Sequence, residues 1–330
     1  MNMKKQPNIF DFATSELSQD AMFAWLMSWA HSQYRESNPL LYSAAVQFIR
    51  LLLNKGEDFS VETIDVGRQW ENIDIWAEIN DDILLIVEDK IETKEHSNQL
   101  ERYNQIAQKE YQGKNVQVYC VYVKTGNEPE MALKNIRAKG YHTVERGAIL
   151  ECIGNKYACH PLLQDYYEHL MSIEKATKTF KTEPVAKWER YAWQGFYKEL
   201  EKHLDDVNWG YVANPSGGFL GMWWHFESTD DVDIYLQFEQ NKLCFKIDAD
   251  GVENKKEVRC KYHTLLMDNA VNHPEVRRPN KFAVGTYMTI ACVDTVHIFG
   301  ECIVNIEEVI AKLHLYEALV SKCAAIANSQ

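Results

Sequence analysis

The sequence lacks long hydrophobic segments, paired cysteines and any excess of positive charge. Its longest apolar runs, such as residues 83–87, fall far short of the roughly 20 residues that a membrane-spanning helix needs. The first residues lead into no hydrophobic signal core, so we expect neither a membrane protein nor a secretory signal. With 330 residues, 46% hydrophobic and 25% charged, the composition is typical of a globular protein whose core needs no disulfide or metal staples.

The eight cysteines are scattered along the chain, and none of them forms a Cys-x-x-Cys pair. A zinc ribbon or a thioredoxin-type motif is therefore not supported. Several cysteines lie in apolar, strand-like runs, where we interpret them as small buried side chains of a cytoplasmic protein. The histidines show no metal-ligand spacing, and the glycines of residues 214–218 lack the lysine of a phosphate-binding loop.

The chain is acidic: 35 lysines and arginines face 48 aspartates and glutamates, for a net charge of −13. This balance argues against tight, salt-driven, non-specific binding of nucleic acid. It is still compatible with a nucleic-acid enzyme, because a basic strip or bound metal ions can offset the charge locally. The densest basic cluster of the second half is residues 277–281. We interpret it as a solvated loop, with phosphate contacts as the alternative.

Apolar periodicity predicts the order α, α, β, β, β, α, β, α, β, α in the first half, with a helix at residues 94–111 and the last strand at residues 143–153. Strands that alternate with helices favour an α/β fold with a parallel or mixed sheet. A polar stretch after residue 175 predicts a boundary between one domain at residues 1–180 and another at residues 185–330. The second domain is predicted to be α+β, with one of its strands at residues 296–304.

The second and third predicted strands contain the most informative residues. Side chains alternate between the faces of a strand, so Glu88 and Lys90 share one face of the third strand with apolar neighbours. A hairpin turn near Asp81 would bring Asp74 of the second strand close to Glu88. Two carboxylates at one point repel each other unless a cation lies between them, and a divalent metal with hard oxygen ligands meets that need. Lys90 points into the same space, where an ammonium can balance charge, orient a water or stabilise a transition state.

Polar residues on two helices extend this group. Gln99 and Tyr103 are four residues apart and share one face of the helix that follows. Glu16 opens the first helix, and Asp20 follows one turn later on the same face. Either of these two acids could contribute a further carboxylate.

This set of residues resembles the PD-(D/E)XK nuclease superfamily, which has the restriction-endonuclease-like fold. The motif elements are Asp74, Glu88-Asp-Lys90 and Gln99-x-x-x-Tyr103, and the last is similar to the RecB-like branch. The predicted αβββαβ order also matches the core of that fold, with a central mixed sheet. Residues 10–155 carry the resemblance, and Ile73 stands where the motif has its proline.

The resemblance implies a nuclease that hydrolyses phosphodiester bonds, with DNA as the expected substrate. It implies Mg²⁺ as the cofactor, which Mn²⁺ can replace. It implies Asp74 and Glu88 as metal ligands, with Glu16 as support for the metal or its water. Lys90 would be the catalytic lysine. Gln99 and Tyr103 would support the substrate backbone and that lysine. The side chain of Asp89 should face away. A homodimer would suit cleavage of both strands, and phage defence or DNA processing are the implied roles. The alternative is an inactive nuclease fold that binds a protein partner.

Overall fold

In the computed structural model the chain forms two compact units, residues 1–128 with 132–175 and residues 129–131 with 176–330. The structure describes residues 6–93, 99–113, 115–157, 160–214, 217–300 and 302–329, and of residues 155–157 it describes the backbone alone. Within these ranges, no helix combines the length and the apolar character needed to cross a membrane.

The first unit is built around a five-stranded mixed sheet in the order β1-β2-β3-β4-β5. Strands β1 to β3 pair antiparallel, and β3, β4 and β5 pair parallel. The elements are α1 (Glu16–Ser28), α2 (Pro39–Leu53), β1 (Ile64–Trp70), β2 (Ile73–Ile79), β3 (Ile83–Lys90), α3 (Gln99–Glu110), β4 (Gln117–Lys124), α4 (Glu130–Ala138), β5 (His142–Glu145), α5 (Arg146–Tyr157) and α6 (Pro161–Lys178). This architecture confirms the predicted mixed α/β fold. Residues 94–98 of the predicted third helix lie outside the described residues.

Capping residues define the first two helices. The Ser15 side chain accepts a hydrogen bond from the Ser18 backbone N–H and so begins α1. Pro39 occupies the first turn of α2, where its missing N–H costs nothing, and Asn54 ends that helix in the left-handed conformation. Both helices bury apolar side chains against one face of the sheet.

The central strand β3 is buried along its whole length, and its side chains alternate between two apolar clusters. Leu85 and Val87 pack with α1 and α2, whereas Leu84 and Ile86 pack with Tyr103 of α3. The alternation continues to the end of the strand. It places Glu88 and Lys90 on the α3 face and Asp89 on the α1 face.

The strand predicted at residues 143–153 was wrong beyond its first three residues. Strand β5 pairs with β4 only from His142 to Glu145, and α5 begins at the next residue. Ile149, Leu150 and Ile153 recur at helical spacing and pack in the apolar core. A short apolar run is compatible with either period, and here the packing against α2 decides for the helix.

The second unit contains a five-stranded antiparallel sheet in the order β10-β9-β8-β7-β6. Its elements are α7 (Arg190–Leu200), β6 (Asn208–Val212), β7 (Phe219–Ser228), β8 (Asp233–Phe238), β9 (Lys242–Asp248), α8 (Lys255–Asn269), β10 (Tyr287–Asp294), α9 (Thr295–Phe299) and α10 (Ile306–Ala327). This arrangement confirms an α+β second half.

The strand predicted at residues 296–304 was also wrong, because the chain forms the short helix α9 there. Thr295 donates from both its backbone N–H and its hydroxyl to the Asn241 carbonyl, which turns the chain directly after β10. Ile298 and Phe299 then reach the core together, whereas Val296 is exposed. The edge strand β6 was not predicted.

Candidate active site

A hairpin brings two carboxylates together at the start of β2 and the end of β3. The antiparallel register pairs Ile75 with Val87, and the next step in this register places Asp74 opposite Glu88. Asp74 Oδ2 also accepts a hydrogen bond of 3.0 Å from the backbone N–H of Asp89. The side chain of Glu88 is fully buried, and that of Asp74 is 18% exposed. One carboxylate therefore faces the interior and the other reaches solvent.

Lys90 lies between these carboxylates. Its ammonium forms an ion pair with Glu88 Oε1 and lies 3.5 Å from Asp74 Oδ2. It also donates a 3.1 Å hydrogen bond to the backbone carbonyl of Asp89. The structure thus assembles Asp74, Glu88 and Lys90 on the face that strand alternation predicted.

The charges of this group do not balance. Burial, followed by the negative charge of Asp74, raises the pKa of Glu88 to about 8, although Lys90 opposes the shift. Burial lowers the pKa of Lys90, but the carboxylates of Glu88 and Asp74 raise it by more, so the net shift is upwards. One ammonium between two acids leaves an excess negative charge when both acids ionise. In the metal-free protein Glu88 therefore retains its proton near neutral pH.

Asp89 faces the opposite side of the sheet, as the sequence predicted. Its Oδ1 accepts a 2.7 Å hydrogen bond from Gln19 Nε2, and Gln19 Oε1 in turn accepts from the Tyr166 hydroxyl. Asp20 lies beside this network. Burial and the charge of Asp74 raise the pKa of Asp20 to about 7. Asp20 and Asp89 form a second acidic pair on the α1 face of β3.

Glu16 reaches the end of β3 from the first turn of α1. Its Oε1 accepts hydrogen bonds from the Ile91 backbone N–H at 3.0 Å and from the Thr93 hydroxyl at 2.6 Å. The carboxylate thereby holds the segment that leaves β3. Glu16 is thus bonded to Ile91, the residue that directly follows Lys90.

Gln99 and Tyr103 bind each other across one turn of α3. Gln99 Nε2 donates to the Tyr103 hydroxyl at 2.6 Å, and that hydroxyl donates to the backbone carbonyl of Asn72 in the β1–β2 turn. Burial raises the pKa of Tyr103, and the nearby charges of Glu88 and Asp74 add to the shift. Among the described residues the pair is bonded to the β1–β2 turn, and neither side chain forms a hydrogen bond with the Lys90 ammonium.

A second buried lysine borders the site, and the sequence reasoning missed it. Lys124 ends β4 and pairs in register with Lys90 of the parallel strand β3. Its ammonium donates to the Thr93 carbonyl at 2.5 Å and lies 3.6 Å from Glu128 Oε2, which also accepts from the Tyr122 hydroxyl. Burial lowers the pKa of Lys124. The available signal was a lysine that closes an apolar strand, as Lys90 closes β3.

The site has the chemistry of a divalent-cation centre, although it is not a preassembled one. Within the described ranges, no three His, Cys, Asp or Glu side chains converge as a ready metal site. The donors present are hard carboxylate oxygens, which suit Mg²⁺ or Mn²⁺. Glu88 Oε2 is buried and has no hydrogen-bond partner among the described residues. A cation at that oxygen would replace the proton of Glu88 and offset the negative charge that appears when both acids ionise, so the residues fit the ion.

Fold and site together define a mixed α/β domain of the nuclease type, with an acidic pair and a lysine at the end of its central hairpin. Residues 7–179, just over half of the chain, match the PD-(D/E)XK nuclease superfamily, and the chain belongs to that superfamily. No curated protein and no solved structure matches the chain.

Proposed function

We propose that the protein is a metal-dependent nuclease that hydrolyses phosphodiester bonds of DNA. The observation that carries this proposal is the group of Asp74, Glu88 and Lys90, which lies largely buried at the start of β2 and the end of β3. Membership of the superfamily supports a nuclease-type function. Once Glu88 ionises, Lys90 alone cannot balance two carboxylates, and this supports a requirement for a divalent cation.

Asp74 and Glu88 would hold the cation, with Glu16 as the supporting acid at the end of β3. When bound, Mg²⁺ supplies a Lewis acid that polarises a phosphoryl oxygen and lowers the pKa of its water. Lys90 stays protonated beside the two carboxylates, so its role is to donate hydrogen bonds to negative charge that develops on the phosphate. It does not serve as the base.

Gln99 and Tyr103 act on the site indirectly. The Tyr103 hydroxyl holds the carbonyl of Asn72, which lies two residues before Asp74, and thereby positions the start of β2. Gln99 fixes that hydroxyl. The pair is therefore proposed to position Asp74 and to border the path of the substrate backbone.

The test compares cleavage of labelled duplex DNA, single-stranded DNA and RNA with Mg²⁺ or Mn²⁺. Asp74→Asn and Lys90→Ala should each lower the rate by at least about 100-fold, since each removes an electrostatic contact to the reacting group. Glu78→Gln is the matched control, because Glu78 lies on the same face of β2 but is exposed and bonded to Tyr111. Unchanged cleavage by both site variants would contradict the assignment.

A calorimetric titration of Mn²⁺ separates this proposal from the scaffold alternative. The wild type should bind Mn²⁺, and Asp74→Asn should not. A wild type that neither binds Mn²⁺ nor cleaves any of the three substrates would favour an inactive fold that binds a protein partner.

The proposal includes action in a reducing cytoplasm, and all seven cysteines of the described residues are free thiols. The proposal also includes a role in phage defence or DNA processing. Its phage-defence part is tested by phage challenge of cells that carry the wild type or Asp74→Asn. Sedimentation tests the homodimer. Equal survival of the two strains, or a monomer with and without DNA, would contradict these parts of the proposal.

A further inference from the structure

In the second unit, two guanidinium groups lie against one aromatic ring, and a lysine directly precedes that ring in the sequence. Arg259 comes from α8, and Arg278, Lys281 and Phe282 come from the loop before β10. The guanidinium carbon of Arg259 lies 3.9 Å from the centroid of the Phe282 ring, and that of Arg278 lies 4.4 Å from it. We call these four residues the Phe282 cluster.

In the part of the chain that the structure describes, the cations of the Phe282 cluster have no carboxylate partner. Among the described residues, none of Arg259, Arg278 and Lys281 forms an ion pair with a carboxylate. The neighbouring Arg277 behaves differently, because it binds both carboxylate oxygens of Asp294 at 2.6 and 3.1 Å. In a chain with a net charge of −13, three cations that pair with no carboxylate in the described part of the chain are a local exception.

Arg259 gives independent evidence that the Phe282 cluster accepts an anion. It is only 5% exposed, its Nη1 donates to the Phe282 carbonyl, and its Nε has no hydrogen-bond partner among the described residues. A buried guanidinium without a counter-ion loses hydration and gains no ion pair in return. The Nε atom itself is not accessible to solvent, but an anion bound at the neighbouring, exposed Arg278 would compensate this buried charge.

The ring orders the donors before any ligand arrives. Phe282 is half-buried, and cation–π contact holds the guanidinium groups of Arg259 and Arg278 against it. Guanidinium groups match phosphate oxygens in planar, two-point contacts. Arg278 and Lys281 are exposed, so a polyanion can reach the cluster. The arrangement suits a phosphate backbone better than a single small ion.

We propose that the Phe282 cluster binds the phosphate backbone of the nucleic-acid substrate and adds affinity outside the catalytic residues. This inference rests on the proposed function. The cluster would counteract, at one surface, the repulsion that the acidic chain exerts on a polyanion.

The test measures binding of a fluorescent DNA duplex to the full-length protein, with Asp74→Asn present throughout to prevent cleavage. Arg278→Gln should weaken binding about 5- to 10-fold at 0.1 M salt and should lower the slope of log K against log salt by about 1. Lys261→Gln is the matched control. It removes the same charge from an exposed residue of α8 whose ammonium already pairs with Asp231 at 2.6 Å. This control should stay within about 2-fold of the parent.

Two results would overturn the inference. In the first, Arg278→Gln binds DNA with the same affinity and salt slope as Lys261→Gln. In the second, polyglutamate displaces the labelled duplex as effectively as unlabelled duplex at equal charge concentration, which would point to an acidic protein partner. If the wild type cleaves DNA and Arg278→Gln has no effect, only the cluster assignment fails. If the wild type neither cleaves nor binds nucleic acid, the proposed function fails as well.

Discussion

Replacement of Glu88 by glutamine should stabilise the metal-free protein while it abolishes metal binding. Glu88 is fully buried beside Asp74, and its pKa is raised from 4.5 to about 8. Glutamine keeps the shape of the side chain but carries no charge. The variant therefore removes the cost of ionising a buried acid, together with a carboxylate that the cation needs.

The pKa of Glu88 gives the size and the pH range of the effect. Between pH 4.5 and about 8 the folded protein holds a proton that the unfolded chain releases, so stability falls as the pH rises through this range. At about 1.4 kcal/mol per pH unit over these 3.5 units, the rise costs about 4–5 kcal/mol by pH 8. The variant also loses the ion pair with Lys90, which offsets part of this gain. We expect a net stabilisation of about 2 kcal/mol at pH 8 and almost none at pH 5.

Hydrogen exchange of the amides in β2 and β3 is the suitable assay, because it reports on the first unit alone. Wild type and Glu88→Gln are compared at the same pH in a chelator, so that the intrinsic exchange rates cancel. Glu78→Gln is again the control and should show no such pH-dependent gain. A Glu88→Gln variant that loses protection equally at pH 5 and pH 8 would refute the reasoning.

Two further predictions follow from the same group of charges. Mn²⁺ affinity should rise about 10-fold per pH unit from pH 6 to pH 8 and then level off, because Glu88 must lose its proton to bind the ion. For the same reason, binding of each ion at pH 7 should release about one proton. Calorimetry in two buffers of different ionisation enthalpy measures this, and an affinity independent of pH would contradict it. Lys124→Met should destabilise the first unit by about 3 kcal/mol, because Glu128 remains buried without its cation. Adding Glu128→Gln should restore much of that loss in the same exchange assay, and no recovery would argue against the ion pair.

Local patterns were enough to predict the candidate site. Strand alternation and a short turn placed Asp74, Glu88 and Lys90 on one face, and the structure places them there. Helical spacing likewise paired Gln99 with Tyr103. These predictions succeed because side-chain periodicity and hairpin register depend on residues that are near in sequence.

Contacts between distant segments were beyond local patterns. Nothing in the periodicity of β4 says that it lies beside β3, so the role of Lys124 required the parallel register. The helix at Arg146–Tyr157 likewise depended on packing against α2.

The sequence by itself determined the order of the elements around the site, the faces of β2 and β3, and the motif that resembles a nuclease. Only the tertiary structure decided how the charges are balanced. Burial raises the pKa of Glu88, and a crossover brings Lys124 to the site. A loop that packs on α8 places Arg259 and Arg278 against Phe282, where neither pairs with a carboxylate of the described residues. Desolvation and long-range pairing depend on the groups that surround a side chain in space, and the neighbouring residues in the sequence do not reveal which groups these are.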